Sequence, residues 1–439
     1  MIRFLMSFLA IMAVPVAAQT SSAETVSREK CDNVVVSRAQ AEDVAQLVAD
    51  AECFARRISS AAISQSYRLE KAKELSDAAS EPHSHMPPVS GGYLPAAVPD
   101  KTFGFDEKLG LKVAWGNGRV PGVYSENEGA FRFTCGGNLP VAFDDYVVYP
   151  AQPGASHLHQ PWGSHEFDAF TTAKTLAAEP QTNCNDTPYS LNRSGYWQPA
   201  LIHDSGEAVQ PDLISVYYKR VRSVSPQCTP GSDRYMGECV GLPNDIRFIF
   251  GWDMNNPTAP VQGASWYCTG GSGKHFDNLD DVFASGCGAG DTLVANTIAP
   301  QCWDGEHIDS PDHRSHMAWT SYGDWGYSKC PSTHPYVIPQ QENKAMWTVT
   351  ADMIDAAGRS RIRLSSDDMV AGFKPGQTLH ADYAEKWDAR AKAMWTEHCI
   401  EKGLSCSGGD LGNGLQLIGA AEPTYGWKNP KPRVPVPAR

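Results

Sequence analysis

The sequence predicts a mainly β protein: an antiparallel β-sandwich or jelly-roll-like domain with long disulfide-bonded loops, preceded by a short helical N-terminal segment. Three observations carry that prediction. Between residues 130 and 364, short apolar and aromatic runs alternate with Gly, Pro, Asn and Asp, and helical periodicity is almost missing. The chain holds 38 Gly, 31 Pro, 12 Trp and 16 Tyr, a composition tilted toward turns and aromatics that suits a loop-rich β protein better than a helical bundle. It also holds 12 cysteines, an even number that reads as a disulfide set in a chain whose opening looks exported.

Taken in order, that opening has Arg3, an apolar run over residues 4–16, and small residues at Ala17 and Ala18. This is the pattern of a secretory signal peptide over residues 1–18, and the run is shorter than the ~20 residues a spanning helix needs. The expected location is therefore secreted or periplasmic, with no transmembrane anchor after signal cleavage. Residues 19–80 are predicted to be helical, because Val44, Leu47, Val48, Ala51 and Phe54 recur at helical spacing and Ile58, Ile63, Tyr67 and Leu75 extend the pattern. Residues 81–100 contain P-H-S-H-M-P-P-V-S-G-G-Y, whose prolines and glycines end a helix and mark a linker.

The main β domain is expected over residues 101–422, with strands at 130–134, 145–149, 196–202, 212–219, 246–252, 264–268, 345–349 and 361–364. A second helix is expected over 383–401, where Trp387, Ala391, Met394 and Trp395 form an apolar stripe. The Pro-rich tail, 423–439, reads as extended or disordered. At 439 residues the chain exceeds one small core, consistent with a large domain and an appendage.

Short separations make Cys31/Cys53, Cys228/Cys239, Cys268/Cys287 and Cys399/Cys406 natural local pairs, and no C-x-x-C motif supports a zinc ribbon or redox site. The formal net charge is -13 and no Lys/Arg block occurs, which argues against nucleic acid and anionic membranes as partners. A G-x-S-x-G elbow, a Walker motif and a dinucleotide fingerprint are all missing.

Chemistry concentrates in four stretches. The densest is C-W-D-G-E-H-I-D-S-P-D-H-R-S-H, residues 302–316, with Asp304, His307, Asp309, Asp312, His313, Arg314 and His316. The others are P-G-A-S-H-L-H-Q-P-W-G-S-H (153–165), C-P-S-T-H-P-Y-V-I-P-Q (330–340) and L-H-A-D-Y (379–383). In a metal reading, His157 and His159 face one side of an extended chain and join a histidine or carboxylate from 309–316 around a divalent metal, zinc or, if carboxylates dominate, calcium. In an acid–base reading, a histidine moves the proton while Asp309, Asp312 or Asp382 orients it. A glycosidase would instead use two carboxyls about 5 to 9 Å apart. A lyase would draw on Tyr196, Arg314 and Gln160. The structural alternative is that these side chains satisfy buried loop backbone. Trp162, Trp197, Trp303 and Tyr196 suit sugar rings and core packing alike.

The ordered motifs P-G-A-S-H-L-H-Q, L-N-R-S-G-Y-W-Q-P-A-L, I-S-V-Y-Y-K-R, C-W-D-G-E-H-I-D-S-P-D-H-R-S-H-M-A, C-P-S-T-H-P-Y-V-I-P-Q and L-H-A-D-Y resemble the domain-of-unknown-function family DUF1996 over residues 131–406. That family occurs in exported bacterial and fungal proteins, some with WSC carbohydrate-binding modules. The resemblance implies an extracellular protein associated with polysaccharide. The reading that follows is a secreted or periplasmic carbohydrate-active enzyme, a glycoside hydrolase cleaving a cell-wall or extracellular polysaccharide. Asp309, Asp312 and His313 carry acid–base chemistry in this reading. His157, His159, Gln160, Tyr196, Trp197, Asp304, His307, Arg314, His316, His380 and Asp382 bind substrate or orient groups. A polysaccharide lyase and a non-catalytic polysaccharide-binding protein with a structural metal are the alternatives.

Overall fold

The computed structural model describes residues 103–184, 189–322, 327–419, 428 and 430–438, and the backbone of short strands at 24–26, 34–36 and 94–95. The chain divides into two compact units, Met1–Leu75 and Ser76–Arg439. In the first, Glu24–Val26 pairs antiparallel with Val34–Val36. The helical stripes predicted over 44–75, the glycine- and proline-rich linker over 82–93, and Cys31 and Cys53 lie outside the described residues.

The second unit is the predicted mainly β domain. Its principal strands are β1 (Glu128–Gly136), β2 (His159–Gly163), β3 (Gly195–Pro199), β4 (Leu213–Val221), β5 (Arg247–Gly251), β6 (Ala264–Thr269), β7 (Thr292–Ile298), β8 (Gln340–Thr348), β9 (His380–Ala384) and β10 (Ser405–Cys406). A six-stranded sheet runs β6-β7-β8-β4-β1-β10 and a four-stranded sheet runs β5-β9-β3-β2. All these pairings are antiparallel except β1 with β10.

Side-chain alternation explains how the two sheets meet. In β4, Ile214, Val216 and Tyr218 are fully buried on one face, beside Phe131 and Phe133 of β1. From the smaller sheet, Trp162, Tyr196, Phe248 and Tyr383 enter the same core. The Tyr218 hydroxyl lies 2.9 Å from the Tyr196 hydroxyl and donates to that of Tyr383 at 3.0 Å. Each such ring removes ~150–250 Å² from water, a gross gain of roughly 4–6 kcal/mol, whereas a buried hydrogen bond nets about 1 kcal/mol. Apolar burial therefore joins the sheets, and the hydroxyl chain keeps three buried oxygens satisfied.

The structure departs from the sequence reading in four places. Residues 145–149 are a turn: the Asp145 carboxylate accepts the amides of Val147 and Val148, both at 2.9 Å, which draws the backbone out of an extended path. The 196–202 run breaks at Ala200 into β3 and a separate strand, Leu201–His203, of another sheet. The helix expected from residue 383 starts at Ala389, because Asp388 caps it through the amides of Arg390 and Ala391 and the preceding residues belong to β9. Of the tail, residues 430–438 are described and are docked, with Val434–Pro435 pairing antiparallel to Glu207–Ala208.

Among the described residues five disulfides are formed: Cys135–Cys184, Cys228–Cys239, Cys268–Cys287, Cys302–Cys330 and Cys399–Cys406. Three are the local pairs expected from spacing. Among the described residues no cysteine is free, and no helix is long and apolar enough to cross a membrane. Cys302–Cys330 closes a 28-residue separation that includes the histidine-dense stretch. Loop-closure entropy for that span is worth about 3.5 kcal/mol. Replacing both cysteines by alanine is expected to lower the unfolding free energy in urea by about that amount, and an unchanged midpoint would show that the loop is held by other contacts.

Candidate functional site

The site is built on the face of the four-stranded sheet that points away from the aromatic core. Pro161 of β2 lies opposite Trp197 of β3, Trp197 opposite Asp382 of β9, and Asp382 opposite Ile249 of β5. Period-two alternation then places His159, Trp197, His380, Asp382 and Arg247 together on this face. Gln160 and Tyr196 fall on the other. Gln160 donates to the carbonyls of Leu139 and Pro161, and Tyr196 belongs to the buried hydroxyl chain, so neither is available to a substrate.

The 145–149 turn covers this face. Its approach depends on Gly195, where a Cβ would lie 1.9 Å from the Tyr146 hydroxyl. Asp145 is thereby held beside Asp382 and His159, with carboxylate and imidazole ligand atoms within 4.8 Å of one another. Burial, then the Asp145 charge and a hydrogen bond with Asp145, pushes the Asp382 carboxyl well above the usual range, while the Arg314 charge opposes them. Arg314 is fixed by the Trp252 carbonyl at 2.7 Å, the Gly251 carbonyl at 3.4 Å and Asp253 at 3.6 Å.

Three imidazoles converge at one end. Ring centroids lie 4.2 Å apart for His157 and His159, 5.1 Å for His157 and His380, and 6.5 Å for His159 and His380. One ligand nitrogen from each falls within 4.8 Å of the others. Burial lowers the pKa of His159 and takes that of His380 down to about 3, so both rings are neutral. Among the described residues, these three histidines and the set Asp145, His159 and Asp382 are groups whose donor atoms could hold a metal. Cys268, Cys287 and Asp291 also cluster, but the two sulfurs are bonded to each other.

The 302–316 stretch occupies a different place from the one its density suggests. It runs beside β5, the Ile249 amide donating to the His313 carbonyl. Asp309 is buried, with its oxygens on Arg247 Nε at 2.5 Å and His313 Nδ1 at 2.8 Å. Burial pushes its carboxyl up, but the His313 hydrogen bond and the Arg247 charge outweigh it and hold the pKa below the ordinary value. Asp312 points to solvent. Although partial burial acts the other way, its contacts with the Ser315 and Arg314 amides and the Ser310 and Ser315 hydroxyls bring its pKa down to about 2. His313, at φ 55°, is kept in that left-handed conformation by the Asp309 contact and the Ile249 amide. His307 Nδ1 meets Asp304 at 2.6 Å on a separate short strand. Of this stretch, Arg314 alone acts electrostatically on the imidazole and carboxyl cluster at both His380 and Asp382.

A pocket of about 570 Å³ opens onto the cluster. His157 and Asp145 form part of its wall, with Phe143 and Tyr149 nearby. The Arg363–Asp368 ion pair, 2.8 Å, and Val436 of the tail also line it. Asp145 escaped the sequence reading because D-D-Y-V-V-Y looks like a strand. The cue was an aspartate two and three residues before amides it can cap.

His316 offers a test of the buried loop. It is fully buried, its Nδ1 meets the Ser310 hydroxyl at 2.8 Å, and burial lowers its pKa from 6.5 to about 4. Between pH 4 and 6.5 the unfolded chain therefore binds more protons at this residue than the folded one, so its contribution is complete above pH 6.5 and is lost as pH falls toward 4. Going from pH 7 to pH 5 removes roughly 2 kcal/mol. His316→Gln is expected to lose correspondingly less unfolding free energy over that interval. Equal losses in the two proteins would remove His316 as a source of acid sensitivity.

No curated protein and no solved structure matches the chain. A family model does: Domain of unknown function (DUF1996), over residues 145–387, more than half of the sequence. The matched span starts at Asp145 and contains His157, His159, Arg314, His380 and Asp382. By that match the chain is a member of the DUF1996 family.

Proposed function

We propose that this chain is an exported carbohydrate-active enzyme that hydrolyses a cell-wall or extracellular polysaccharide in the pocket walled by His157 and Asp145. The pocket carries this reading. At about 570 Å³ it has room for a small-molecule-sized segment of polymer, and it joins the aromatic faces of Phe143 and Tyr149 to the Arg363–Asp368 pair. A sugar ring offers an apolar face and a belt of hydroxyls, which is the complementary pattern. Five disulfides and a signal-like N-terminus support an oxidising, extracytoplasmic setting.

The same geometry shifts the chemistry away from Asp309 and Asp312. Asp309 is committed to Arg247 and His313, and neither it nor Asp312 lines the pocket, whereas Asp145 does. Asp145 and Asp382 stand too close together to serve as the separated carboxyls of a paired-carboxylate glycosidase. Water activation is assigned instead to the pocket wall, where Asp145 and His157 reach the bound polymer. Arg314 and Asp382 set the charge behind them.

The test is release of reducing ends from a panel of bacterial and fungal polysaccharides. His157→Ala and Asp145→Asn are each expected to lower the rate by about 10²-fold or more, and Asp312→Asn to leave it within about twofold. Unsaturated uronate products would replace hydrolysis by elimination. Binding without cleavage across the panel would make the protein a polysaccharide-binding protein and overturn the enzymatic reading.

A further inference from the structure

We infer that His157, His159 and His380 form a centre for a divalent transition metal of the imidazole-preferring class, such as Zn²⁺ or Cu²⁺. It shares His157 with the hydrolase reading, in which a metal-bound His157 would act by holding the ion and not as a free base, and it is tested separately because metal occupancy is measured without any substrate.

The argument begins with protons. His159 Nδ1 lies 2.9 Å from the Asp144 carbonyl, which can only accept. Its second neighbour, the Ser156 hydroxyl at 3.4 Å, already donates to the His157 carbonyl and so accepts here as well. His380 Nδ1 lies 2.8 Å from the Thr378 carbonyl. Both Nδ1 atoms must therefore carry the hydrogen, leaving the lone pair of each neutral ring on Nε2. Those two Nε2 atoms are buried on residues with 0% exposure, and neither has a hydrogen-bond partner among the described residues. A buried acceptor left in that state forfeits its hydration with nothing in return, so an occupant that takes both lone pairs is favoured. Histidines whose Nδ1–H is held by backbone carbonyls while Nε2 is presented inward are the arrangement that metal ligation uses to fix tautomer and ring direction.

Distance and placement agree. Around a four-coordinate ion, nitrogens at about 2.0 Å sit roughly 3.3 Å from one another. One ring nitrogen from each of the three histidines lies within 4.8 Å of the others, so such a trio has at most about 1.5 Å per pair to close, within reach of side-chain rotation. His159 and His380 come from strands on either side of β3 and share one sheet face, and His157 bridges them at the pocket wall. A fourth position on the pocket side is thus left for water or substrate. Three imidazole nitrogens select against Ca²⁺ and Mg²⁺, which take oxygen ligands, and so discriminate within the zinc-or-calcium choice left by the sequence. The third ligand comes from L-H-A-D-Y and not from residues 309–316.

The experiment is metal titration of the full chain after chelator treatment, using Zn²⁺, Co²⁺, Cu²⁺ and Ca²⁺ separately, with bound metal counted and the Co²⁺ ligand-field spectrum recorded. One equivalent of Zn²⁺ or Co²⁺ per chain, a four-coordinate Co²⁺ spectrum and no Ca²⁺ at this site are expected. His159→Ala and His380→Ala should each weaken binding at least 100-fold, and His275→Ala, at an exposed histidine whose Nδ1 lies 2.8 Å from the Ser265 hydroxyl outside this cluster, should not. Absence of a stoichiometric transition-metal site in the folded unsubstituted chain would overturn the inference, as would unchanged affinity in a folded His159→Ala, His380→Ala double variant. Metal bound with no polysaccharide cleaved would uphold this inference while removing the hydrolase reading.

Discussion

A neutral imidazole in a dry interior must place one proton and one lone pair, and the backbone carbonyls of Asp144 and Thr378 decide where both go on His159 and His380. Most of the site follows from that constraint. The rings can be aimed this way because β2 and β9 flank β3 in a fixed register, and the register is held by the aromatic core on the opposite face of the same sheet. Each strand thus serves two functions by alternation. Tyr196 and Tyr383 hold the sandwich together, while their neighbours Trp197 and Asp382 face the cluster.

The cluster is costly to fold and is held by its surroundings. Asp382 is a buried carboxyl that favours its protonated form, beside Asp145, which is supported by two amides. Arg314, fixed by two carbonyls, brings a positive charge to the same region. A mutual arrangement of this kind tolerates little displacement. The close approach of the Tyr146 hydroxyl to Gly195 shows how tightly the covering turn is seated. A protein selected for stability alone would replace such groups with apolar side chains.

Much of the architecture was legible in the sequence. Turn-rich spacing and aromatic runs give the antiparallel β domain, and short cysteine separations give three of the five disulfides. H-x-H correctly sets His157 and His159 toward a common centre, since period two is a local property. What is not local cannot be read from spacing. His380 lies more than two hundred residues from His159 in sequence, and only strand order brings them together. The 302–316 stretch drew attention by density, yet its Asp312 and His313 mainly tie down a tight loop. Spacing does not distinguish a carboxylate that caps amides from one that faces a pocket. Residues 145–149 failed for the converse reason, because one side chain's hydrogen bonds outweighed an apolar pattern that suits a strand.

The docked tail has a practical consequence. Val436 lines the pocket, while Val434 and Pro435 pair at the edge of a small sheet and Val434 packs on the cluster of Val141, Leu158 and Ile202. Proteolytic nicking of the chain between Arg433 and Val436 would therefore reshape the pocket wall without disturbing the sandwich core. Nicked preparations would then be mixtures of two differently shaped sites that look alike by mass-insensitive measures of folding.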